Sequence, residues 1–297
     1  MRQSRRTLLI TAAMLACSAP LRVLAAGAAR PMTADLVVER IKRGVGIPWR
    51  AETVDRIVAG SPDTRVTGIA TAMMATQKVL QRAASNGLNM VITHEPTFYS
   101  HFDTVQELAD DPTYRHKRDF IADNDMVVFR FHDHWHAMAP DGVAVGMTRA
   151  LGWEKNADPS RPGEFVWPHM PLERIADMLA RRLGARSIRI MGDPALPVSR
   201  VAAAWGYAAL SDLRALAARP DIDLLIVGET REWELVPYVA DQIAAGAGKA
   251  LIVLGHVASE QEGMRYCAQW LRTLIDSMPI EFVATEEPFE MQRTTAK

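Results

Sequence analysis

The sequence contains few cysteines: Cys17 and Cys267 are the only two among its 297 residues. Cys17 lies within a predicted export signal that cleavage would remove. The mature chain would then keep one cysteine, which excludes an intramolecular disulfide even in an oxidising compartment. Any metal site must therefore depend mainly on histidine, aspartate and glutamate side chains.

The sequence also lacks an excess of positive charge, since its formal net charge is −1. This balance gives no indication of the basic surface that nucleic-acid binding proteins use, and we expect no nucleic-acid partner. Neither a G-x-G-x-x-G motif nor a P-loop occurs, so no local motif supports nucleotide binding. No G-x-S-x-G motif surrounds Ser199 or Ser259, which argues against a serine nucleophile.

Long apolar runs are missing as well, and the N-terminal run at residues 8–16 is too short to span a bilayer comfortably. It follows a basic start with Arg5 and Arg6 and precedes a small-residue exit, which is the layout of a twin-arginine export signal. We predict a cleaved signal at residues 1–25 and a periplasmic or secreted mature protein without a stable membrane span. An uncleaved anchor and lipidation at Cys17 are the alternatives.

Apolar runs of strand length alternate with helical patterns through the rest of the chain. The predicted strands are residues 66–73, 89–95, 126–132, 187–192, 200–206, 223–229 and 249–256. The predicted helices are residues 76–87, 171–184 and 259–278. Continuous apolar strands separated by helices indicate mostly parallel sheets that are covered on both faces, and therefore an α/β fold.

A proline-rich polar stretch at residues 156–171 divides this pattern. We predict that it is a linker between an N-terminal half, residues 26–155, and a C-terminal half, residues 172–297. In the C-terminal half, Ser259 and Glu262 have the spacing of a capping box, which predicts that a helix begins at Ser259.

Three histidines lie at alternate positions in the stretch "HDHWH", namely His132, His134 and His136. On an extended chain, alternate residues share one face, so the three imidazoles are predicted to point together. The alternative is an exposed polar loop without a ligand.

Further candidate ligands follow the predicted strands. His94 and Glu95 end one strand and His256 ends another, while Glu260 lies four residues beyond His256. Ligands bind at the carboxyl ends of strands in open α/β sheets, so we expect these groups to meet. Five or more nitrogen and oxygen donors suit zinc, manganese, iron, cobalt or nickel, and a carboxylate that bridges would allow two adjacent ions.

At these residues the chain resembles a known dinuclear-metal family. The similar segments are "VTGIATAMMATQKVLQRAASNGLNMVITHEPTFY", "GDPALPVSRVA", "VGETREWE" and "LIVLGHVASEQEGM", and they extend from about Val66 to Glu260. They resemble the family known as GTP cyclohydrolase I type two, or NGG-interacting-factor-three-like. The resemblance implies an α/β fold with two related halves around a metal cleft, and a homo-oligomer that is often a toroidal hexamer.

The resemblance also implies a ligand set, with two departures from the family pattern. His94 and His256 match family ligands, and Glu260 matches the carboxylate that bridges two divalent ions. Glu95 stands where the family has a second consecutive histidine, and His136 stands where it has the aspartate of a His-Thr-Asn-Leu-Asp motif. The implied metal ligands are therefore His94, Glu95, His136, His256 and Glu260.

The resemblance leaves the roles of some residues undecided. Asp133 or His134 would take the role of the family aspartate if the loop shifts by a residue or two. Met74 stands where the family often has an aspartate after its first strand, so no particular family activity carries over directly.

Two functions are compatible with such a site. The first is a metal-dependent hydrolase, in which Glu260 and the ions activate a water against a small polar substrate while His132 or His134 transfers protons. The second is a non-enzymatic metal-binding or assembly protein. Because nucleoside triphosphates are scarce outside the cytoplasm, the predicted export argues against GTP as the substrate.

Overall fold

The computed structural model describes residues 31–287 and residue 289. The predicted export signal at residues 1–25 lies outside the described residues. The fold described below belongs to one compact unit that begins at Met32. In chain order its helices and strands are α1 (Ala34–Gly44), β1 (Ile57–Ala59), β2 (Ile69–Ala72), α2 (Gln77–Ser85), β3 (Met90–Thr93), α3 (Pro112–Asp123), β4 (Val127–Arg130), α4 (Asp133–Ala137), α5 (Gly142–Leu151), β5 (Glu164–Pro171), α6 (Leu172–Leu183), β6 (Arg189–Met191), β7 (Pro197–Tyr207), α7 (Leu210–Ala218), β8 (Leu224–Glu229), α8 (Glu232–Ala244), β9 (Ala250–Val253), α9 (His256–Leu271) and β10 (Ile280–Phe282).

The strands form two five-stranded sheets, which confirms the predicted α/β fold. The first sheet has the order β1-β4-β3-β2-β10, and only the edge strand β1 is antiparallel to its neighbour. The second sheet has the order β5-β7-β8-β9-β6, with parallel strands in the centre and an antiparallel strand at each edge. The parallel strands β2, β3, β4 and β9 are buried at every residue, as a sheet covered by helices on both faces requires.

Every strand predicted from an apolar run is present, but three strands were not predicted. β1 and β10 have only three residues each, which is too short for a visible pattern. β5 falls within the proline-rich stretch at residues 156–171, and its positions are mostly half-buried or exposed. Strand β10 pairs with β2, so the chain returns to the first sheet after α9.

The helix at 171–184 is confirmed: α6 begins after Pro171 and ends at Gly184, which has φ +62°. The capping box predicted for the last long helix is wrong. Helix α9 begins at His256 rather than Ser259, and Gly255 with φ +89° precedes it. The Ser259 hydroxyl instead donates to the His256 carbonyl at 2.8 Å and accepts from the Gly206 amide at 3.0 Å.

Two helices near the site pack unusually closely. A Cβ atom placed on Gly263 of α9 would lie 2.7 Å from Val143 Cα of α5, and one on Gly146 of α5 would collide with the backbone of α9. Glycine at these positions lets the two backbones touch. Among the described residues, no helix is both long and apolar enough to cross a membrane.

Candidate metal centre

The histidine-rich stretch folds as a helix, so the prediction of an extended strand is wrong there. β4 ends at Arg130, and α4 places His132 at its N-cap position and His136 one turn later. Residues four apart share a helix face, whereas His134 between them points elsewhere. The rings of His132 and His136 have centroids 4.9 Å apart, and the ring of His94 lies 4.5 and 4.8 Å from them.

His94 follows β3 and is fully buried. Its Nδ1 lies 3.3 Å from the Phe131 carbonyl, to which it donates, so its Nε2 carries a lone pair. That Nε2 is 3.1 Å from the Nε2 of His136. Burial first, and then the neighbouring imidazoles of His132 and His136, hold the pKa of His94 well below its ordinary value. His94 is therefore a neutral imidazole, which is the form that binds a metal ion.

His136 is oriented from its other nitrogen. Its Nδ1 lies 2.9 Å from Asp141 Oδ2, while Asp141 Oδ1 also accepts from the first backbone amides of α5. Burial lowers the pKa of His136, but the hydrogen bond and charge of Asp141 outweigh it and raise the pKa overall. The two facing Nε2 atoms of His94 and His136 thus need a shared proton or a cation between them.

His256 begins α9 and faces three carboxylates. Its Nε2 lies 3.0 Å from Glu260 Oε2 and 3.1 Å from Glu95 Oε1, and its Nδ1 lies 3.1 Å from Glu229 Oε1. Burial lowers the pKa of His256, but these carboxylates, Glu229 foremost, raise it to about 12. Without a metal ion, His256 is therefore a cation at neutral pH.

Glu260 lies between the two groups of histidines and is only 3% exposed. Its oxygens are 3.7 Å from the Nε2 atoms of His94 and His136. Its Oε2 is buried and has no hydrogen bond of acceptable geometry, although His256 Nε2 is 3.0 Å away. A Cβ atom at Gly206 would collide with this carboxylate, so glycine there makes room for it. A buried carboxylate oxygen without a donor fits a site that is completed by a cation.

Glu95 is held beside His256 by Arg130. The Arg130 Nη2 donates to Glu95 Oε2 at 3.1 Å, and its Nε donates to the His94 carbonyl at 3.2 Å. The other oxygen, Oε1, is therefore free to face His256 and His132, whose Nε2 is 3.8 Å away. Burial raises the pKa of Glu95, but His256, His132 and Arg130 together lower it, so this carboxyl is ionised.

All four imidazoles of the cluster have one nitrogen occupied by a partner. These partners are the Phe131 carbonyl for His94, Asp133 for His132, Asp141 for His136 and Glu229 for His256. Such contacts fix the tautomer and orientation of metal-binding histidines and make them more basic. Each imidazole consequently presents Nε2 toward the centre of the cluster.

The structure therefore brings together the five predicted ligands and adds His132. The donor atoms form two sets, and within each set all atoms lie within 4.8 Å of one another. One set comes from His94, His132 and His136, and the other from His94, Glu95 and Glu260. Sequence reasoning did not find Arg130, Asp141 and Glu229. Glu229 had a signal, since it ends a predicted strand, but Asp141 and Arg130 are recognisable only from their contacts.

His134, predicted as a proton carrier, is not part of this cluster. It is fully buried, with its Nδ1 2.7 Å from Asp55 Oδ2 and its Nε2 accepting from the Arg50 amide at 3.0 Å. Its ring stacks on Trp49 with a centroid distance of 3.7 Å. Because both ring nitrogens are occupied, His134 contributes to the framework that holds α4 rather than to the metal cluster.

Asp133 and Met74 are also placed outside the group of donors. Asp133 accepts from His132, Thr53 and the Val54 amide. Burial raises its pKa, but these hydrogen bonds, that of His132 first, lower it to about 2. The backbone amide of Met74 donates a hydrogen bond to the Thr285 hydroxyl, and the Met74 side chain has no oxygen that could bind a metal.

The chain also matches a known protein family. Residues 39–288 match the family described as Duf34/NIF3 (NGG1p interacting factor 3). The chain belongs to this family. A similar protein, the GTP cyclohydrolase 1 type 2 homolog of Clostridium perfringens, is 23% identical over 79% of this chain and 89% of its own length.

Solved structures are similar to this chain over nearly all of their length. The Bacillus cereus protein related to NIF3 has a TM-score of 0.67 at 12% identity, over 89% of this chain and 100% of its own. Staphylococcus aureus protein SA1388 has a TM-score of 0.66 at 16% identity, over 88% of this chain and 100% of its own. At these identities the similarity establishes the Duf34/NIF3 fold.

Proposed function

We propose that this protein is an exported dinuclear metal protein that hydrolyses a small polar substrate. The observation that carries the proposal is the arrangement of the imidazoles. Four Nε2 atoms and two carboxylates converge, while the other nitrogen of each imidazole is held by an oxygen. A cation at the centre would satisfy the buried Glu260 Oε2, which has no hydrogen bond, and would separate the Nε2 atoms of His94 and His136, which lie 3.1 Å apart.

The residues that would hold two divalent ions are His94, His132, His136, His256, Glu95 and Glu260. Glu260 lies within 3.7 Å of three of the imidazoles, so it is the carboxylate suited to both ions. When bound, such ions lower the pKa of a coordinated water toward neutrality and polarise a substrate carbonyl or phosphoryl oxygen. Zinc, manganese, iron, cobalt and nickel all accept this mixture of donors.

The side chains supply orientation. Asp133 holds Nδ1 of the partly exposed His132 at 3.0 Å, so its Nε2 faces the cluster as a donor and is not available for proton transfer while it holds an ion. His256, His132 and Arg130 together lower the pKa of Glu95 and keep it ionised, while Arg130 holds Oε2 and leaves Oε1 directed inward. Glu260 is only 3% exposed and would contribute its oxygens at the centre of the cluster.

Cell location and assembly extend the same proposal. The twin-arginine pattern at Arg5 and Arg6 supports export to the periplasm or beyond. Folding before export would allow a metal to be acquired inside the cell. A homo-oligomer, with a hexamer as the form expected from the family resemblance, completes the proposal.

The test is a substrate screen on metal-replete protein with a matched pair of variants. Esters, phosphoesters and amides would be tested with the wild type, with Glu260→Gln and with His116→Ala, which removes an exposed histidine on α3. We expect hydrolysis of one class, its loss in Glu260→Gln, and its retention in His116→Ala. Equal activity in Glu260→Gln and the wild type would reject the hydrolase.

The second candidate is a non-enzymatic metal-binding or assembly protein. The full burial of His94 and the near-complete burial of Glu260 favour it, because structural metal sites are closed. Metal-loaded wild type that leaves all three substrate classes unchanged would support this function over the first.

A further inference from the structure

We propose that the two metal positions have unlike donor sets and therefore retain different ions. One position is rich in imidazole nitrogen and the other is rich in carboxylate oxygen. This inference rests on the proposed dinuclear site but not on the proposed hydrolysis.

The nitrogen-rich position is defined by α4 and the end of β3. The Nε2 atoms of His94 and His136 face each other at 3.1 Å, and His132 contributes a donor within 4.8 Å of both. Glu260 reaches this position with oxygens 3.7 Å from His94 and His136. The donors are thus three imidazoles and one shared carboxylate.

The oxygen-rich position is defined by the beginning of α9. Glu95 Oε1 and Glu260 Oε2 lie 3.1 and 3.0 Å from His256 Nε2, and the same two carboxylates form a donor set with His94. Two carboxylates thus stand beside His256, and His94 is shared with the first position. A third carboxylate, Glu229, lies behind His256 at 3.1 Å from its Nδ1 and adds negative charge nearby. Arg130 occupies only the outer oxygen of Glu95 and leaves the inner one available.

Glu95 and His136 are the residues that create this difference. Glu95 adds an oxygen donor beside His256, and His136 adds a nitrogen donor beside His94. Imidazole donors suit zinc, iron and nickel, whereas carboxylate donors suit manganese and magnesium. The nitrogen-rich position should therefore prefer zinc, and the oxygen-rich position should be the one at which manganese competes.

The experiment is a competition between zinc and manganese on the full mature protein. Metal-free protein would be dialysed against one equivalent of zinc per chain with excess manganese. Bound metal would be measured by elemental mass spectrometry, and manganese pairing by electron paramagnetic resonance. We expect about one zinc and one manganese per chain, without the spectrum of coupled manganese pairs.

Two variants change one position each. Glu95→His adds an imidazole to the oxygen-rich position. A second equivalent of zinc should therefore displace manganese more completely from this variant than from the wild type. His136→Asp removes an imidazole from the nitrogen-rich position, so coupled manganese pairs should now form. His116→Ala should behave as the wild type. Circular dichroism would verify that each variant is folded. If Glu95→His does not fold, the result for His136→Asp decides the test.

The outcomes separate this inference from the proposed function. Coupled manganese pairs in the wild type, or an unchanged zinc-to-manganese ratio in His136→Asp, would overturn the unlike positions while leaving a dinuclear hydrolase intact. One zinc and one manganese in a protein that hydrolyses nothing would support the unlike positions and reject the hydrolase. Failure to bind either metal would overturn both.

Discussion

At the scale of single residues, the site depends on which nitrogen of each imidazole carries a proton. His94 and His136 direct Nδ1 to an oxygen and Nε2 inward, and His256 does the same with Glu229 behind it. A protonated Nε2 would repel an incoming cation, so proton and metal compete for the same atom.

Metal binding should therefore release a proton from His256. Its pKa of about 12 means that Nε2 is protonated in the metal-free protein across the neutral range. Since the metal must displace that proton, apparent affinity should rise with pH throughout pH 6–9, by up to about tenfold per pH unit. Isothermal titration calorimetry in buffers of different ionisation enthalpy measures the proton count directly.

The control for this prediction is His256→Gln, which has no such proton to lose. Residual binding by that variant should show a smaller proton release. An affinity of the wild type that stays constant across the same pH range would contradict the assignment of the proton to His256.

At the scale of secondary structure, helix α4 determines which histidines meet. Its first turn is held by Asp55, whose carboxylate accepts from the backbone amides of His132, Asp133 and His134 at 2.7–2.9 Å. The same carboxylate holds the His134 ring at 2.7 Å. One buried side chain thus positions the whole five-residue helix that carries His132 and His136.

Replacing Asp55 by alanine should unfold or loosen α4. Four donors, two of them in buried hydrogen bonds, would lose their acceptor, and we expect a loss of about 3–5 kcal/mol in the free energy of unfolding together with loss of metal. Asp55→Asn keeps one acceptor oxygen and should lose less of both. Urea denaturation and metal analysis of the two variants test this, and equal metal content in Asp55→Ala and the wild type would contradict it.

The contact between α5 and α9 also positions residues of the site. Helix α5 carries Asp141 at its N-cap and thereby orients His136, while α9 carries His256 and Glu260. The glycines between these helices keep the two sides of the site in a fixed relation, because a side chain would force the backbones apart.

Gly263→Ala should lower stability by about 1–3 kcal/mol, the usual cost of overpacking, since the added Cβ would lie 2.7 Å from Val143 Cα. Gly248→Ala is the matched control, because its Cβ would lie at an ordinary 3.5 Å from Leu196. Thermal denaturation compares the two variants. A melting temperature of Gly263→Ala equal to that of Gly248→Ala would show that the helices can separate at little cost.

At the scale of the whole molecule, the candidate ligands come from both sheets. His94, Glu95, His132 and His136 follow strands β3 and β4 of the first sheet, whereas His256 and Glu260 follow β9 of the second. Ions held by all of them would link the two sheets at one point. Metal binding should then stabilise the fold as a whole and not merely the local loops.

Chelation should accordingly lower the melting temperature. A ligand at about 100 times its dissociation constant stabilises a protein by about 2.7 kcal/mol, so removal of the ions should give a shift of several degrees. Differential scanning fluorimetry with and without a chelator measures it. Glu260→Gln should show a much smaller shift, and an equal shift in both proteins would place the stabilising ions elsewhere.

The sequence predicted the parts of the fold that have strong local patterns. Buried parallel strands such as β3 and β8 are continuous apolar runs, and α6 has clear start and stop residues, so both types were recognised. The three-residue strands β1 and β10 have too few positions to form a pattern. They exist because neighbouring strands offer them hydrogen-bonding partners, β4 for one and β2 for the other.

The sequence by itself determined the types of donor atom, because the identities of His94, Glu95, His256 and Glu260 and their places after strands are written in the chain. Only the tertiary structure decided how the histidine-rich stretch divides. Alternation suggested that three histidines act together, but Asp55 holds the stretch in a helix, which turns His132 and His136 to one face and buries His134 on another. The deciding contacts join residues about 80 positions apart, and such contacts form only when the chain has folded.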